Sequence, residues 1–366
     1  MKLISRRSFI KSLSVGGLAL AFNFDTSIAN SSLLPEVNDS YRLGRVLPWY
    51  GKVEIKSEPD PDSSTVDTRF EDEVLICDNE IIGKAYSIYP RNTLWYVTTN
   101  GYVPAFKLQP VRMIKNIPIN ELPVYGEKPG MWAEVTVPYV DLYQDNLPPK
   151  SPILKETTNP RFYYSQVLWI DGIKENQDGK VLYHVSERFG SYGDTFWAEA
   201  EAFKPLFPED LNPIRPEIKN KKVIVDVNHQ TLRCFENDSE ILYSRVSTGA
   251  LWTNDGTQTK AYSTPIGDYH LVSRKYISLH MAGGSKASGW ETPAVAWSSI
   301  FATDGVAIHS TYWHNNYGYP MSHGCVNVPP EIAKFIFRWS SPVCGYDPGV
   351  IEVSDYSGTN VKVITY

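Results

Sequence analysis

The sequence predicts a mainly β protein, and two observations support this. Aromatic residues make up 13% of the 366 residues, with 23 Tyr and 10 Trp, and such residues favour strands. Most of the chain consists of short apolar runs separated by turn residues, whereas a clear helical period occurs near the C-terminus. A hydrophobic content of 42% and a charged content of 21% are typical of a soluble globular protein, and the length predicts about two or three domains.

Residues 1–29 have the features of an export signal rather than of a folded segment. Lys2, Arg6, Arg7 and Lys11 precede a mildly apolar run, and small residues follow at the spacing of a cleavage site. The pair Arg6-Arg7, with its flanking residues, resembles the bacterial twin-arginine motif, and an ordinary Sec signal is the alternative. No later segment has eighteen consecutive apolar residues, so we expect no transmembrane span beyond the signal. The protein is expected in the periplasm or at the outer face of the cell envelope.

The net charge of −6 argues against a nucleic acid as a partner, because proteins that bind nucleic acids need a basic surface. Removal of residues 1–29 makes the charge more negative, since it takes away four basic residues and one acid. Four cysteines in a chain of this length do not make a disulfide scaffold. We expect Cys77 and Cys234 to be small buried side chains on strands.

Two related stretches of β pattern precede a linker in the first two thirds of the chain. The first, residues 40–115, contains "TLWYVTTNGYVPAFKLQPV", in which Asn100-Gly101 predicts a hairpin turn. The second, residues 130–206, repeats a Tyr/Val strand, a glycine turn and an aromatic strand. Ala105-Phe106-Lys107 and Ala202-Phe203-Lys204 end the two stretches in the same way. This region resembles tandem bacterial SH3-like β-barrels, and the Pro-rich and charged residues 207–220 predict a linker.

Residues 221–355 predict a third, mostly β domain that contains one amphipathic helix. Several strands follow Lys222, and "GVAIHS" is predicted to be a short apolar strand that ends on His309. The segment "PPEIAKFIFRW" then changes to a helical period, with Ile332, Phe335, Ile336 and Trp339 on one face.

Histidine and cysteine are concentrated in "IHSTYWHNNYGYPMSHGCVNV", residues 308–328. This stretch holds three of the seven His and one of the four Cys in the chain. A nearby imidazole either takes the proton of the Cys325 thiol or lowers its pKa, and both routes activate a nucleophile. Gly324 permits a tight turn, so that the amides of Gly324 and Cys325 can form an oxyanion hole. A zinc site is the alternative, although the ligand spacing is not that of a zinc finger or ribbon.

His309 followed by Ser322-His323-Gly324-Cys325-Val326-Asn327 resembles the signature of the L,D-transpeptidases. The resemblance extends through "IVDVNHQTLRCFEN", "VSTG" and "STPIGDYHLVSRK", and it covers roughly residues 220–355. It implies a β-sandwich-like catalytic domain with one or more short helices, preceded here by the two small SH3-like barrels. The family also places a mobile flap over the donor site, at residues 275–293 of this chain.

The resemblance assigns a role to each residue of the motif and to several residues around it. Cys325 is implied as the nucleophile, His309 as the general base, and Ser310 as the residue that orients His309 through its carbonyl. His323 is implied to support the site or to share the role of base. The amides of Gly324 and Cys325 are the implied oxyanion donors. The candidate substrate-binding residues are Asn327, His280, Met281 and Tyr317.

The reaction implied by the resemblance is peptidoglycan cross-linking through a thioester on Cys325. A stem tetrapeptide donates its acyl group and loses D-Ala, and the side-chain amine of a neighbouring stem accepts that group. The implied partner is therefore a peptidoglycan stem peptide. The protein is expected to be a monomer that needs no cofactor and no metal. Carbapenems are implied to acylate the Cys325 thiol. An L,D-carboxypeptidase, an enzyme that attaches proteins to the wall and a non-catalytic wall-binding protein remain alternatives.

Overall fold

The computed structural model describes residues 42–250, 260–283, 290–354 and 357–365. The chain divides into two compact units, one formed by residues up to Val111 with Trp313–Asn316, the other by Arg112–Tyr312 with Tyr317–Tyr366. The predicted signal at residues 1–29 lies outside the described residues. In the described part, no helix is long and apolar enough to cross a membrane.

In its described residues, the first unit has eight short strands in two sheets. The larger sheet has the order β3-β2-β7-β6-β5 and the smaller has the order β4-β1-β8. A core of apolar side chains, among them Val53, Ile55 and Val103, lies in this unit. The strands are β1 Leu43–Val46, β2 Lys52–Lys56, β3 Thr65–Phe70, β4 Val74–Ile76, β5 Asn79–Ile82, β6 Leu94–Thr98, β7 Gly101–Pro104 and β8 Leu108–Val111.

The predicted hairpin at Asn100-Gly101 is confirmed, with a small shift of the turn. Thr98 pairs with Gly101, so the two turn residues are Thr99 and Asn100, and Gly101 begins the second strand. Gly101 has a φ of +149°, and an added Cβ would lie 2.4 Å from the Lys56 carbonyl oxygen. The position therefore requires glycine for both its backbone angle and its close approach to a neighbouring strand.

The second unit begins with eight further strands that form a six-stranded and a two-stranded sheet. Their orders are β11-β15-β14-β13-β9-β16 and β10-β12. The strands are β9 Met131–Val135, β10 Tyr139–Asp141, β11 Tyr143–Gln144, β12 Arg161–Tyr163, β13 Val167–Glu175, β14 Val181–Ser186, β15 Thr195–Glu199 and β16 Phe203–Pro205.

Both N-terminal regions end with a 3₁₀ turn followed by a strand, but the residues that correspond between them differ from those matched in the sequence. A 3₁₀ turn precedes the last strand in each, at Ala105–Lys107 and at Ala200–Ala202. The structure therefore matches Ala105 to Ala200, whereas the sequence matched it to Ala202. Other 3₁₀ turns lie at Pro48–Tyr50, Pro208–Leu211 and Thr303–Gly305.

The C-terminal part of the second unit has two five-stranded sheets and a helix. The sheet orders are β19-β18-β17-β26-β20 and β24-β23-β22-β21-β25, and each sheet contains one parallel pair, β17 with β26 and β23 with β24. The elements are β17 Lys221–Asp226, β18 Thr231–Glu236, β19 Ser239–Arg245, β20 Gly267–Leu271, β21 Arg274–Gly283, β22 Trp290–Ile300, β23 Ala307–Ser310, β24 Val326–Val328, α1 Pro330–Trp339, β25 Val350–Glu352 and β26 Asn360–Ile364.

Helix α1 confirms the helical period read from the sequence and closes the core of this part. It begins at Pro330, where a proline costs no backbone hydrogen bond, and it buries Phe335, Ile336 and Trp339. Its C-terminal carbonyls are bound by a buried lysine, since Lys275 Nζ donates to Phe337 O at 2.7 Å and to Ser340 O at 2.6 Å. The mainly β fold with a short helix, expected from the sequence, is thus confirmed.

The core of the C-terminal part continues into the preceding β region. Trp132, Val167 and Leu206 belong to the same buried cluster as side chains of β17, β22 and α1. Trp132 Nε1 also donates to the Tyr346 carbonyl at 2.9 Å, and the Tyr346 hydroxyl donates to the Leu206 carbonyl at 2.6 Å. Residues 130–206 therefore share an apolar core with the region that carries the His/Cys motif.

Candidate active site

Two neighbouring parallel strands position the histidine and the cysteine of the motif. His309 lies on β23, where its backbone pairs with Asn327 of β24, and Cys325 directly precedes β24. Alternate residues of a strand share one face, so Cys325 is expected on the face that carries His309 and Asn327. Consistent with this placement, the Ala307 amide at the start of β23 lies 3.5 Å from Cys325 Sγ.

The His309 ring is buried and is oriented by its neighbour in the sequence. His309 is 3% exposed, and its Nδ1 lies 2.8 Å from the Ser310 carbonyl oxygen. Because a carbonyl oxygen only accepts hydrogen bonds, Nδ1 must carry the proton, which leaves Nε2 of the neutral ring as an acceptor. The predicted orienting role of Ser310 thus has a matching contact through its backbone.

Burial sets the protonation states of both groups in the resting protein. Loss of hydration lowers the pKa of His309 to about 4, although the hydrogen bond to Ser310 opposes that shift. Burial raises the pKa of the Cys325 thiol to about 11, against a smaller opposite effect of the Ala307 amide. At neutral pH both groups are therefore uncharged, Cys325 as the thiol and His309 as the neutral imidazole. Of the two routes left open by the sequence, this geometry favours proton removal by the imidazole.

The "VSTG" segment, residues 246–249, holds the motif from the side opposite β23. Ser247 and Asn327 exchange two backbone hydrogen bonds, of 3.0 and 2.8 Å. The Thr248 carbonyl accepts the amide of Ser322 at 3.1 Å. The Cys325 loop is therefore fixed between a strand and an extended segment, which favours a precise site.

The turn before Cys325 depends on a serine hydroxyl and on glycine. Ser322 Oγ donates to the Cys325 carbonyl at 2.5 Å and accepts the Gly324 amide at 3.1 Å. Gly324 has a φ of +118°, a conformation that other residues rarely adopt, and its carbonyl accepts the Thr264 hydroxyl at 2.8 Å. The proposed oxyanion role of Gly324 thus meets a competing partner, because its amide already contacts Ser322.

His323 is held by aromatic rings rather than by hydrogen bonds to the motif. The Trp290 ring stacks on its imidazole at 5.1 Å between centroids, and the Tyr262 ring contacts it edge-on at 4.4 Å. This packing limits hydration, and the pKa of His323 is lowered as a result. Trp290 and Tyr262 were not singled out from the sequence, although Trp290 lies in the segment implied as a flap.

The remaining candidates lie in different surroundings. Asn327 is buried beside Ser247, and the hydroxyl of Tyr317 contacts the Thr311 side chain next to the end of β23. Met281 lies on β21, and the adjacent His280 is buried between two carboxylates. Residues 284–289 of the segment implied as a flap lie outside the described residues.

No group of three or more His, Cys, Asp or Glu side chains in the described part of the chain is placed to hold a metal ion. His314 lies in the Trp313–Asn316 segment, where its Nδ1 accepts the Asn316 amide at 3.3 Å. Cys77, Cys234 and Cys344 are buried and free. Burial raises the pKa of the Cys344 thiol to about 12. The ligand set that a zinc site would need is thus not assembled in these residues.

Comparison with known proteins finds a family model that matches the C-terminal region. Residues 220–363 match YkuD, the L,D-transpeptidase catalytic domain. No curated protein matches the sequence significantly. Among solved structures, the C442S mutant of an Enterococcus faecium L,D-transpeptidase is 22% identical, with a TM-score of 0.30 and coverage of 41% of this chain and 51% of that chain.

Two other solved structures are similar at lower identity. The L,D-transpeptidase from Mycobacterium smegmatis is 15% identical, with a TM-score of 0.30 and coverage of 50% of this chain and 90% of that chain. The L,D-transpeptidase LdtMt1 in complex with imipenem is 15% identical, with a TM-score of 0.30 and coverage of 70% and 100%. This chain thus spans about half the length of the Enterococcus faecium protein. On the match of its sequence, the region formed by residues 220–363 is similar to the L,D-transpeptidase catalytic domain.

Proposed function

We propose that the protein is a peptidoglycan L,D-transpeptidase that uses Cys325 as its nucleophile. The observation that carries this proposal is the buried, neutral His309, whose Nδ1 is bound by the Ser310 carbonyl and whose strand pairs with the strand that begins directly after Cys325. Such an imidazole can serve as the general base, because its Nε2 carries no proton at neutral pH and can take the thiol proton. Members of this family are normally cysteine acyltransferases, which agrees with that arrangement.

The proposed reaction has two acyl transfers. His309 takes the thiol proton while Cys325 Sγ attacks the carbonyl carbon of the third stem residue. The amide bond to D-Ala breaks, D-Ala leaves as an amine with the proton returned by His309, and a thioester remains on Cys325. The side-chain amine of a neighbouring stem then attacks the thioester, gives up a proton through His309, and leaves with a new amide bond. The thiol is regenerated, so no cofactor is consumed.

The oxyanion of each tetrahedral intermediate needs prepositioned donors. We assign this role to the Cys325 amide and to the Gly324 amide, which would have to turn from Ser322 Oγ towards the substrate. His323 is proposed to support the motif through its aromatic contacts. Asn327, Met281 and Tyr317 stay as proposed substrate contacts, and His280 is given a different role below.

The acceptor distinguishes the proposed function from its alternatives. Attack by water makes the protein an L,D-carboxypeptidase, and attack by a protein amine makes it a wall-protein attachment enzyme. The SH3-like repeats at 40–115 and 130–206, the linker at 207–220, export by the twin-arginine signal and a monomeric state remain parts of the proposal. A protein exported in this way would meet peptidoglycan at the cell wall, where L,D-transpeptidases act.

Mass spectrometry of products from a purified disaccharide-tetrapeptide tests this function. We expect loss of D-Ala and formation of cross-linked dimers, and neither product with Cys325→Ser. D-Ala release without dimers, even with added stem acceptor, would favour the carboxypeptidase. A folded, reduced protein that forms neither product would overturn the proposal.

A further inference from the structure

A buried charged cluster connects the region before the linker to the β21–β22 hairpin. His280 of β21 lies between two carboxylates, with Nδ1 2.8 Å from Glu187 Oε2 and Nε2 3.2 Å from Glu291 Oε1. The His280 side chain is 3% exposed and the two glutamate side chains are each 8% exposed. Glu187 directly follows β14, and Glu291 lies on β22. The buried Ser151 hydroxyl, from the loop between β11 and β12, donates to Glu291 at 2.5 Å.

The surroundings of His280 favour its charged form. Burial by itself lowers the pKa of an imidazole, but the hydrogen bond and charge of Glu187, together with the charge of Glu291, outweigh burial and raise it. An imidazolium also presents a proton to a carboxylate on each side, which the neutral ring cannot do. The contact with Glu291 is poorly aligned as a hydrogen bond and acts chiefly as an ion pair. The Tyr192 ring packs edge-on against the imidazole at 5.6 Å.

The same glutamate also binds an irregular point of the partner strand. The pairing of β21 with β22 shifts register between Leu279 and Met281, which marks a bulge opposite His280. Ala294 of β22 is buried there with a φ of +50°, a left-handed conformation that costs alanine about 1 kcal/mol. Its amide donates to Glu187 Oε1 at 2.5 Å. Glu187 therefore holds both strands of the hairpin at once, through one oxygen each.

The hairpin leads directly to the candidate active site. Trp290 precedes Glu291 in the chain and pairs with Gly283 across the hairpin. Its ring is the one that stacks on His323, two residues before Cys325. A displacement of the hairpin at Glu291 would therefore also move Trp290, the neighbouring residue whose ring contacts His323.

We propose that Glu187 and Ser151, which lie before the linker, are positioning residues for the active site. Together with His280 and Glu291 they fix the bulged hairpin in the position that stacks Trp290 on His323. The proposal deepens the proposed function and rests on it for its effect on catalysis. It predicts that the region before the linker acts on the acylation step without contacting the reacting atoms.

Nuclear magnetic resonance of histidine-labelled full-length protein measures the stacking directly. The imidazole protons of His323 are shifted by the ring current of Trp290, and the spectra of His323→Gln and Trp290→Ala assign the signals and define the unstacked value. We expect Glu187→Ala to move the His323 signals towards that value and to slow imipenem acylation about tenfold, since small displacements near the chemistry are costly. Glu187→Gln keeps an acceptor for the Ala294 amide and should keep the signals near their wild-type positions.

Glu199→Ala is the matched control, because Glu199 lies in the same region but pairs with Lys180 at the surface. The His323 signals and the acylation rate of this variant should equal those of the wild type. If Glu187→Ala does not fold, Ser151→Ala removes a single hydroxyl and should move the signals in the same direction by less. His323 signals that stay at their wild-type positions in folded Glu187→Ala or folded Ser151→Ala would overturn the proposal. Absence of acylation in the wild type would instead count against the proposed function, because the resonance measurement needs no acylation.

Discussion

Raising the pH from about 6 to about 9 should leave the rate of Cys325 acylation by imipenem almost unchanged. The pKa of His309 is about 4 and that of Cys325 is about 11, so the pair holds one proton across this whole range. At pH 7 only about one ring in a thousand is protonated and about one isolated thiol in ten thousand is ionised. Attack by the pair therefore has a flat profile, whereas attack by a thiolate formed without the base rises about tenfold per pH unit.

Stopped-flow or quenched-flow mass spectrometry of the acylated chain measures this profile. His309→Gln serves as the internal control, because it removes the base but keeps the nucleophile. Its residual rate should be low at pH 7 and should rise about tenfold per pH unit up to about pH 9. A wild-type rate that itself rises tenfold per unit would refute the reasoning. So would a wild-type rate that falls between about pH 8 and 9, because it would indicate an imidazolium that is needed for attack.

Three substitutions test other parts of the structure. His323→Gln should retain measurable acylation where His309→Gln loses nearly all of it, and the reverse order of acylation rates would exchange their roles. Lys275→Met should lower the free energy of unfolding by about 2 kcal/mol or more, since it removes the donor to the Phe337 and Ser340 carbonyls at the C-terminal end of α1. An unchanged denaturant midpoint would contradict this. Gly324→Ala has room for a methyl group, so its cost of about 1–3 kcal/mol is backbone strain in the loop that carries the nucleophile, and it should lower both stability and the acylation rate. The control Gly305→Ala, also at a positive φ with nothing within 4 Å, should lower stability but not the acylation rate. Equal acylation rates in the two variants would show that strain at Gly324 does not affect the site.

The features that the sequence predicted well are those with a strong local signal. The helix at Pro330–Trp339 follows from a complete apolar stripe and a proline start. The placement of His309 at a strand end follows from the short apolar run before it. The motif from Ser322 to Asn327 is contiguous, so its turn geometry is encoded by neighbouring residues.

The features that the sequence did not predict depend on contacts between distant residues. The Glu187–His280 pair joins side chains 93 positions apart, and no local pattern marks either one as buried. His280 was predicted as a substrate contact because it lies in the segment implied as a flap, but one of its two carboxylate partners, Glu187, comes from another part of the chain. The pKa values of His309 and Cys325 were also out of reach, because burial and not sequence spacing decides them. The shared core around Trp132 likewise requires the folded structure.

Mass spectrometry of the intact chain after exposure to imipenem tests directly whether Cys325 is the acyl carrier. One adduct per chain is expected, on the peptide that contains Cys325, while the buried Cys77, Cys234 and Cys344 stay unmodified. Cys325→Ser should abolish the adduct or nearly so, and a chelator should leave its rate unchanged. A folded, reduced chain that takes up no imipenem, or one that carries the adduct on another cysteine, would contradict the assignment of Cys325 as the nucleophile.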